Sequence, residues 1–246
     1  MRSFFEGFML SVCFFTRIPA LYRVKKVTDK TYKFLALFIP INGLILASIT
    51  IVFYHLLSHY AHDVYVAVLA SVFYLFMYGF LHLEAVADIT DAYYAKHGGK
   101  DSYEILKDSH VGALGAIGTF SLIIVKVAAL SYLLIEGNYL GIIAVLFLSR
   151  MMAVVAIYRF KFHKDSTFIH SMKKPLDNVS MAIFAILSFV ILLGLNNLLL
   201  LLPALILTLL IQKWLTKYIG FLNGDGLGFI IEINELVLLN LLIFIT

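Results

Sequence analysis

The sequence predicts an all-α fold: a polytopic integral membrane helix bundle with about seven transmembrane helices and a short N-terminal interfacial helix. Composition is the first observation behind this prediction. Hydrophobic residues occupy 62% of the chain and charged residues 14%, whereas a soluble domain is about half apolar and a quarter charged. The second observation is that apolar residues form runs of membrane length, about 20 residues each. Residues 1–246 are therefore expected to form a single membrane domain.

The expected spans follow from the apolar runs and the breaks between them. Residues 3–15 are apolar but too short to cross a bilayer, so an interfacial helix is expected there. The apolar stretch 179–213 is divided into two short spans because Gly194-Leu195-Asn196-Asn197 interrupts it. The seven spans are expected at roughly 34–56, 64–90, 112–134, 139–158, 179–194, 197–213 and 227–245.

The basic residues alternate between loops as the positive-inside rule describes. Nearly all of the 19 Lys and Arg residues lie in the loops at 16–33, 96–110, 159–174 and 213–217. None lies in the loops at 57–63, 135–138 and 194–197. This pattern predicts a multi-pass protein of the cell (inner) membrane with a cytoplasmic N-terminus. The single cysteine, Cys13, excludes an intrachain disulfide and a Cys-based metal cluster.

Three carboxylates, Glu84, Asp88 and Asp91, close the second apolar run. Spacings of four and three residues place them on one face of a helix. Acids at the end of a membrane-length segment are costly, which favours a functional role. Mg²⁺ takes a few carboxylates together with substrate phosphates, so the three are candidate metal ligands. A solvated helix end is the alternative; it accounts for Asp91 better than for the deeper Glu84.

Two further groups of residues carry chemical information. Glycines 112, 115 and 118 follow a charged loop, and their spacing suits either close helix packing or approach of the backbone to a ligand. Asp225 and Glu232 share one helix face, and Glu232 lies within the last span. Lys126 and Arg150 are cations within spans, so each is expected to pair with an acid or to bind a substrate phosphate.

Together these residues favour a Mg²⁺-dependent phosphoryl or nucleotidyl-phosphate transfer site at the cytoplasmic side of a membrane. An ion-coupled transporter is the competing class, because buried acids also line ion pathways. Two observations weigh against transport. The acids gather on one side, and no matching pair of broken spans is apparent in the two halves of the sequence.

Six short motifs follow one another along nearly the whole chain. They read FTRIP at 15–19, FIPING at 38–43, LHLEAVADITDA at 81–92, ILKDSHVG at 105–112, SR at 149–150, and GDGLG at 224–228 with Glu232. In this order they resemble the cobalamin synthase family, the adenosylcobinamide-GDP ribazoletransferases. The chain departs from the family pattern in several places: Glu84 replaces Asp, His110 replaces Arg, Gly226 replaces Thr, and alanines 85 and 92 replace glycines.

The resemblance implies a late step of cobalamin biosynthesis. Adenosylcobinamide-GDP would be joined to α-ribazole or its 5′-phosphate, giving adenosylcobalamin or its 5′-phosphate and GMP. It implies these roles: Glu84, Asp88 and Asp91 as Mg²⁺ ligands; Asp225, Glu232 and Lys107 as catalytic residues; and Arg17, Lys107, Asp108, Ser109, Arg150 and Gly224 as substrate-binding residues. The implied partners are a corrinoid nucleotide, α-ribazole and the lipid bilayer, without nucleic acid; a homo-oligomer is left open.

A CDP-alcohol phosphotransferase is the alternative membrane enzyme. Residues 88–96 are similar to DxxDGxxAR, which is the first half of that family's motif. The second half, GxxxDxxxD, should follow at a fixed gap, but the next acids after Glu104 and Asp108 come only at Glu136. The similarity of residues 88–96 supports the same metal chemistry, but it does not establish membership of the CDP-alcohol phosphotransferase family.

Overall fold

The computed structural model describes residues 2–19, 24, 27–98, 101–106 and 110–245, except for the side chain of His97. Within these ranges the chain forms α-helices and connecting segments without a β-strand. The helices are α1 (Arg2–Phe15), α2 (Asp29–Leu37), α3 (Ile39–Leu57), α4 (Asp63–Met77), α5 (Leu81–His97), α6 (Ser102–Ile105), α7 (Ala113–Ile135), α8 (Tyr139–Arg159), α9 (Thr167–Lys173), α10 (Asn178–Gly194), α11 (Leu201–Tyr218) and α12 (Gly224–Ile245).

Helices α8 and α12 form the centre of the bundle. Helix α8 is apolar on nearly all sides, and such a helix is expected to be buried; 83% of its membrane-length window is indeed buried. It packs mainly against α3 and α12, and α12 in turn packs against α5, α7 and α11. Helix α10 lies at the periphery, since only Ser180, Ser188 and Leu192 are buried along it. The central pair therefore positions the start of α12 beside α5.

The helices confirm the predicted polytopic bundle. By length and composition, five helical segments of the described chain are suited to cross a membrane, and seven if each of two bent helix pairs counts as one span. The division of 179–213 is also confirmed. Helix α10 ends at Gly194, and a 3-10 turn at Leu198–Leu200 leads into α11.

The predicted continuous span at 64–90 is wrong. Helices α4 and α5 meet at 82°, so the carboxylates of α5 lie on a separate helix that runs across the axis of α4. The bend is built from Gly79 (φ 76°) and Phe80 (φ 62°), both in the left-handed region. Glycine enters that region without a steric penalty. At this corner the Arg17 N–H donates to the Met77 carbonyl at 2.7 Å and so satisfies one orphan carbonyl at the end of α4.

A second bend joins α9 to α10 at 87°. The expectation that the two halves lack a pair of broken spans is therefore wrong as well. Helix α9 has only seven residues and precedes the apolar run that begins at 179. The bend therefore lies before the apolar run from which the span was predicted, and hydropathy gave no sign of it.

The N-terminal helix α1 packs against α2 and α3. Its 14 residues are too few to span a bilayer, as predicted. Glu6 is buried on this helix and accepts a hydrogen bond from Arg2 Nε at 2.9 Å, one turn away. Helix α1 is therefore an integral part of the bundle.

Contacts between loops gather the basic segments at one end of the bundle. Lys33 pairs with Asp177 at 2.6 Å, and Lys174 pairs with Asp29 at 2.9 Å. The His163 N–H donates to the Leu222 carbonyl at 2.7 Å. At the opposite end, the rings of His55 and Tyr139 lie 4.9 Å apart. The two loop classes defined by their basic residues therefore lie at opposite ends of the molecule.

Candidate active site

Helix α5 brings the three predicted metal-binding residues together with a fourth acid from α12. The charges of Asp225, Glu84 and Asp91 all act on Asp88, and Glu84 also acts on Asp225. We call these four side chains the carboxylate row. Two helices distant in sequence thus supply one acidic strip.

Asp91 has a structural partner in helix α7. Its Oδ2 accepts the Gly112 N–H and its Oδ1 accepts the Gly115 N–H, both at 2.7 Å. These bonds satisfy amides at the start of α7 and set a negative charge at the positive end of the helix dipole. The carboxyl group is thereby fixed in orientation, while each oxygen retains a further lone pair.

The glycines of α7 are explained by this contact. A Cβ on Gly115 would lie 2.2 Å from Asp91 Oδ2 and 2.6 Å from the Ala87 carbonyl oxygen. A Cβ on Gly118 would meet only the Thr90 side chain, at 3.1 Å. Of the two alternatives that the spacing left open, the structure supports close helix packing.

Glu84 and Asp88 differ from Asp91 in their surroundings. Within the part of the chain that the structure describes, neither carboxylate has a hydrogen-bond donor or a basic side chain as partner. Glu84 is exposed, and Asp88 is half-buried among like charges. Like charges held together without a counter-ion repel one another, and a divalent cation would relieve that repulsion.

The carboxylate row is chemically suited to Mg²⁺. The described residues contain no group of three or more His, Cys, Asp or Glu side chains already arranged around one point. Mg²⁺ does not require such a group, because it commonly binds one or two carboxylates and completes its shell with water and substrate phosphates. Glu84 and Asp88 are therefore the side chains best placed to hold it, with the Asp91 carboxylate fixed beside them.

The start of α12 holds Asp225 beside α5. The Asn223 side-chain N–H donates to Asp225 Oδ2 at 2.7 Å, and the Asn223 side-chain Oδ1 accepts the Gly226 N–H at 2.9 Å. Asn223 therefore caps the helix and fixes the carboxylate. At Gly224 a Cβ would meet nothing within 4 Å, so this predicted substrate-binding residue borders open space.

Two cavities lie at the ends of the carboxylate row. The first, the aromatic cleft, has a volume of about 170 Å³ and is lined by residues that include Phe14, Phe15, Leu81, His82, Ala85, Phe168, Ile169, Met172, Gly224 and Asp225. The second, the loop cavity, has a volume of about 510 Å³ and is lined by Asp91, Tyr94, Ala95, Ile105, His110, Val111, Gly112, Ala113 and Leu114. Asp225 borders the first and Asp91 the second, so the row connects them.

Glu232 and Arg150 lie away from both cavities, in the helix core. Lys126 hydrogen-bonds Glu232 and also pairs with Glu235 Oε1 at 2.8 Å. Arg150 pairs with Glu235 Oε2 at 2.7 Å and donates to the Tyr74 hydroxyl at 2.8 Å. We call these five side chains the core ion network. All are buried; Arg150, at 2% exposure, is the most exposed of them.

Two residues of the predicted site belong to this network. Arg150 was expected to form an ion pair or a phosphate clamp; the structure places it in the ion pair. Its guanidinium also donates to the Leu146 carbonyl at 3.0 Å, so its donors are directed at protein groups. Glu232, predicted to be catalytic, is bound to Lys126 rather than to a residue of the carboxylate row. Lys126 itself does not extend to solvent, because its side chain is fully buried.

The remaining predicted residues are distributed as follows. Lys107, Asp108 and Ser109 lie outside the described residues, so their roles stay predictions. Arg17 is exposed, and its side chain lies against Gly79 at the α4–α5 corner: a Cβ on that glycine would be 2.9 Å from Arg17 Nε. Its substrate-binding role also stays a prediction.

Sequence reasoning missed the aromatic cleft and one partner in the core. The FTRIP motif directly follows Phe14, but nothing in the pattern linked that ring to Phe168 on α9, which it meets at 4.7 Å. Tyr74 resembled any other aromatic residue of a span, although its hydroxyl donates to Glu235 at 2.6 Å. The four-residue steps from Tyr74 to Tyr78 to His82 were the available signal. The Tyr74 and Tyr78 rings lie 5.1 Å apart, and the Tyr78 ring stacks on His82 at 5.9 Å.

Comparison with known proteins agrees with the motifs. The sequence model of the family described as cobalamin-5-phosphate synthase matches residues 7–243. The chain belongs to the cobalamin-5-phosphate synthase family. It is therefore an enzyme, and the match covers the carboxylate row, both cavities and the core ion network.

Relatives in this synthase family are similar over nearly their full length. The chain is 28% identical to the adenosylcobinamide-GDP ribazoletransferase of Clostridium acetobutylicum, over 95% of this chain and 94% of that protein. It is 27% identical to the enzyme of that name in Treponema denticola, over 98% of both chains. The Escherichia coli K12 enzyme is 25% identical over 94% of this chain and 97% of its own. No solved structure matches the chain.

The contact between α5 and α7 predicts that alanine at Gly115 destabilises the protein more than alanine at Gly118. Gly115→Ala should destabilise the protein by about 1–3 kcal/mol, the usual cost of overpacking, because the new methyl group meets backbone and a fixed carboxylate. Gly118→Ala should cost less, because only the Thr90 side chain must shift. Thermal unfolding in detergent measures both. Equal losses would contradict the close contact at Gly115.

The core ion network predicts that substitutions of Lys126 and Glu232 have non-additive effects on stability. Lys126→Met leaves Glu232 and Glu235 buried with one cation, which should cost about 3–5 kcal/mol. The double variant Lys126→Met/Glu232→Gln removes one charge of each sign and should recover most of that loss. Urea unfolding of the single and double variants gives the coupling energy. Purely additive losses would show that Lys126 does not compensate Glu232.

Proposed function

We propose that the protein joins adenosylcobinamide-GDP to α-ribazole, or to its 5′-phosphate, and releases GMP in a Mg²⁺-dependent reaction. Two findings support this proposal. The chain belongs to the cobalamin-5-phosphate synthase family, and its full-length relatives are named for this transfer. The observation that carries it is the carboxylate row: four acids from two helices, set between two cavities large enough for parts of two different substrates.

The reaction needs an attacking hydroxyl, a phosphorus centre and a leaving group. In the proposed step, the acceptor ribose hydroxyl attacks the cobinamide-side phosphorus, and a new P–O bond forms. The bond between that same phosphorus and the bridging pyrophosphate oxygen breaks, and the oxygen leaves with the electron pair as part of GMP. The hydroxyl proton passes to a carboxylate. Asp225 is best suited to accept it, because it borders the aromatic cleft and is oriented by Asn223.

Mg²⁺ would be held by Glu84 and Asp88, beside the fixed Asp91 carboxylate. Bound there, it would neutralise the pyrophosphate and stabilise the departing GMP. The Asp91 carboxyl group has a fixed orientation beside this Mg²⁺ site, because two backbone amides at the start of α7 donate to it. Glu232 is left out of the proton transfer because Lys126 already neutralises it in the core. The resemblance assigns phosphate binding to Lys107, and we retain that assignment as part of the proposal.

We also propose that the active site faces the cytoplasm of a cell (inner) membrane, with the N-terminus on the same side. The basic loops gather at one end of the bundle, through contacts such as Lys33–Asp177 and His163–Leu222. Positively charged loops favour the cytoplasmic side. Lys96 lies at that same end, since its Nζ would be 3.6 Å from a Cβ on Gly220, and it follows the carboxylates of α5 by little more than one helical turn.

A substrate comparison tests the proposed reaction. Purified protein in liposomes with Mg²⁺ should convert adenosylcobinamide-GDP and α-ribazole into adenosylcobalamin and GMP, both measured by chromatography. A CDP-activated lipid alcohol, offered in parallel, should give no CMP. Turnover of the CDP substrate alone would favour the alternative enzyme. Ion flux across the liposomes without turnover of either substrate would favour the transporter.

The carboxylate row predicts a separation of activity from stability. Asp88→Asn should abolish ribazole transfer, because it removes a proposed Mg²⁺ ligand. Folding stability should stay equal or rise, because one of several mutually repelling charges is lost. Asp177→Asn is a matched control: that acid is exposed, pairs with Lys33 and caps α10 away from the row. Retained transfer in Asp88→Asn would exclude this residue from the site.

A further inference from the structure

The aromatic cleft has the chemistry of a site for a flat apolar ring. Phe14 and Phe15 come from the end of α1, Phe168 comes from α9, and Leu81 comes from the start of α5. The rings of Phe14 and Phe168 meet at 4.7 Å with a tilt of 31°, and Phe15 lies 6.0 Å from the His82 ring. Three segments distant in sequence thus form one aromatic wall.

Size and charge restrict what this cleft can bind. Its volume of about 170 Å³ is below the roughly 300 Å³ at which pockets begin to enclose a drug-sized ligand. A corrin ring or an entire nucleoside diphosphate therefore does not fit. Its described lining includes the Asp225 carboxylate but no Lys or Arg. The apolar and aromatic side chains of this lining therefore suit a small uncharged ring.

The loop cavity is about three times larger than the aromatic cleft. Asp91 and Tyr94 of α5 line it together with His110, which precedes α7, and its described lining also includes a carboxylate but no Lys or Arg. Along α5, Leu81 of the aromatic cleft and Asp91 of the loop cavity are ten residue steps, or about 15 Å, apart, and the carboxylate row lies between them. A flat ring and a larger part of a second substrate can therefore approach the row from opposite ends.

We infer that the aromatic cleft binds the base of the acceptor nucleoside and directs its ribose toward Asp225, leaving the loop cavity to the nucleotide end of the donor. The inference rests on the proposed function, because it assigns the two substrates of that reaction to two sides of one site. α-Ribazole carries a benzimidazole, which is a flat and largely apolar ring. Packed against Phe168 and Phe15, it would present its sugar to the one carboxylate of the cleft lining.

The test removes aromatic surface from the cleft. Phe168→Ala should raise the KM for α-ribazole about tenfold, in line with the loss of one base–aromatic stacking contact. The KM for adenosylcobinamide-GDP should change less than about twofold, because Phe168 lies outside the loop cavity. Phe168→Tyr keeps the ring and should restore the acceptor KM, which separates a stacking role from a general folding defect.

Two controls complete the kinetic experiment. Phe73→Ala removes a ring that stacks on Phe53 at 4.1 Å, outside both cavities, and should leave both KM values unchanged. Tyr94→Ala, in the loop cavity, should raise the KM for adenosylcobinamide-GDP instead. A rise in the donor KM alone for Phe168→Ala, or no change in either KM, would overturn the assignment.

A binding measurement separates failure of the inference from failure of the proposed function. Calorimetric titration of α-ribazole alone into wild-type protein in detergent should give a heat of binding, and Phe168→Ala should weaken this binding about tenfold. Binding without turnover would refute the proposed reaction but retain the cleft as a base site. Turnover with an unchanged acceptor KM in Phe168→Ala would refute the cleft alone. Absence of α-ribazole binding to the wild type would overturn the inference.

Discussion

The pairing of two buried cations with two buried acids is the interaction on which the rest of the architecture depends. A single unpaired charge in a membrane interior is costly, and breaking a buried pair leaves its partner uncompensated. Lys126 on α7 and Arg150 on α8 both bind Glu235 on α12, and Tyr74 adds α4. Four helices therefore meet at one point, which fixes the axial position of α12. Asp225 lies ten residues before Glu235, about 15 Å along the helix, and thereby reaches α5.

The corner between α4 and α5 is the second constraint on the site. It turns α5 across the bundle, so that this one helix borders the aromatic cleft at Leu81 and the loop cavity at Asp91. The Asp91 carboxylate then fastens α5 to the start of α7 through two amide hydrogen bonds. The acids of α5, which would be costly inside a straight span, therefore lie between the two cavities.

Much of the fold and part of the site could be predicted from the sequence. Composition and run length predict the bundle, and helical spacing predicts that Glu84, Asp88 and Asp91 share a face. The break between α4 and α5 was not predicted, because Gly79 interrupts an apolar run without changing its hydropathy. Glu232 looked catalytic because spacing shows which residues share a face but not what packs against it. Its partner Lys126 is 106 residues away in the chain, and a separation of that kind carries no periodic signal.

The balance of the core ion network has a consequence for how the enzyme responds to an energised membrane. A membrane potential does work of about 2.3 kcal/mol per elementary charge per 100 mV. In their ordinary ionised forms, Lys126, Arg150, Glu232 and Glu235 carry two positive and two negative charges within ion-pairing distance of one another. The electrical forces on them nearly cancel, so the centre of the bundle acts as an electrically neutral unit. A voltage across the membrane therefore does little net work on the core ion network.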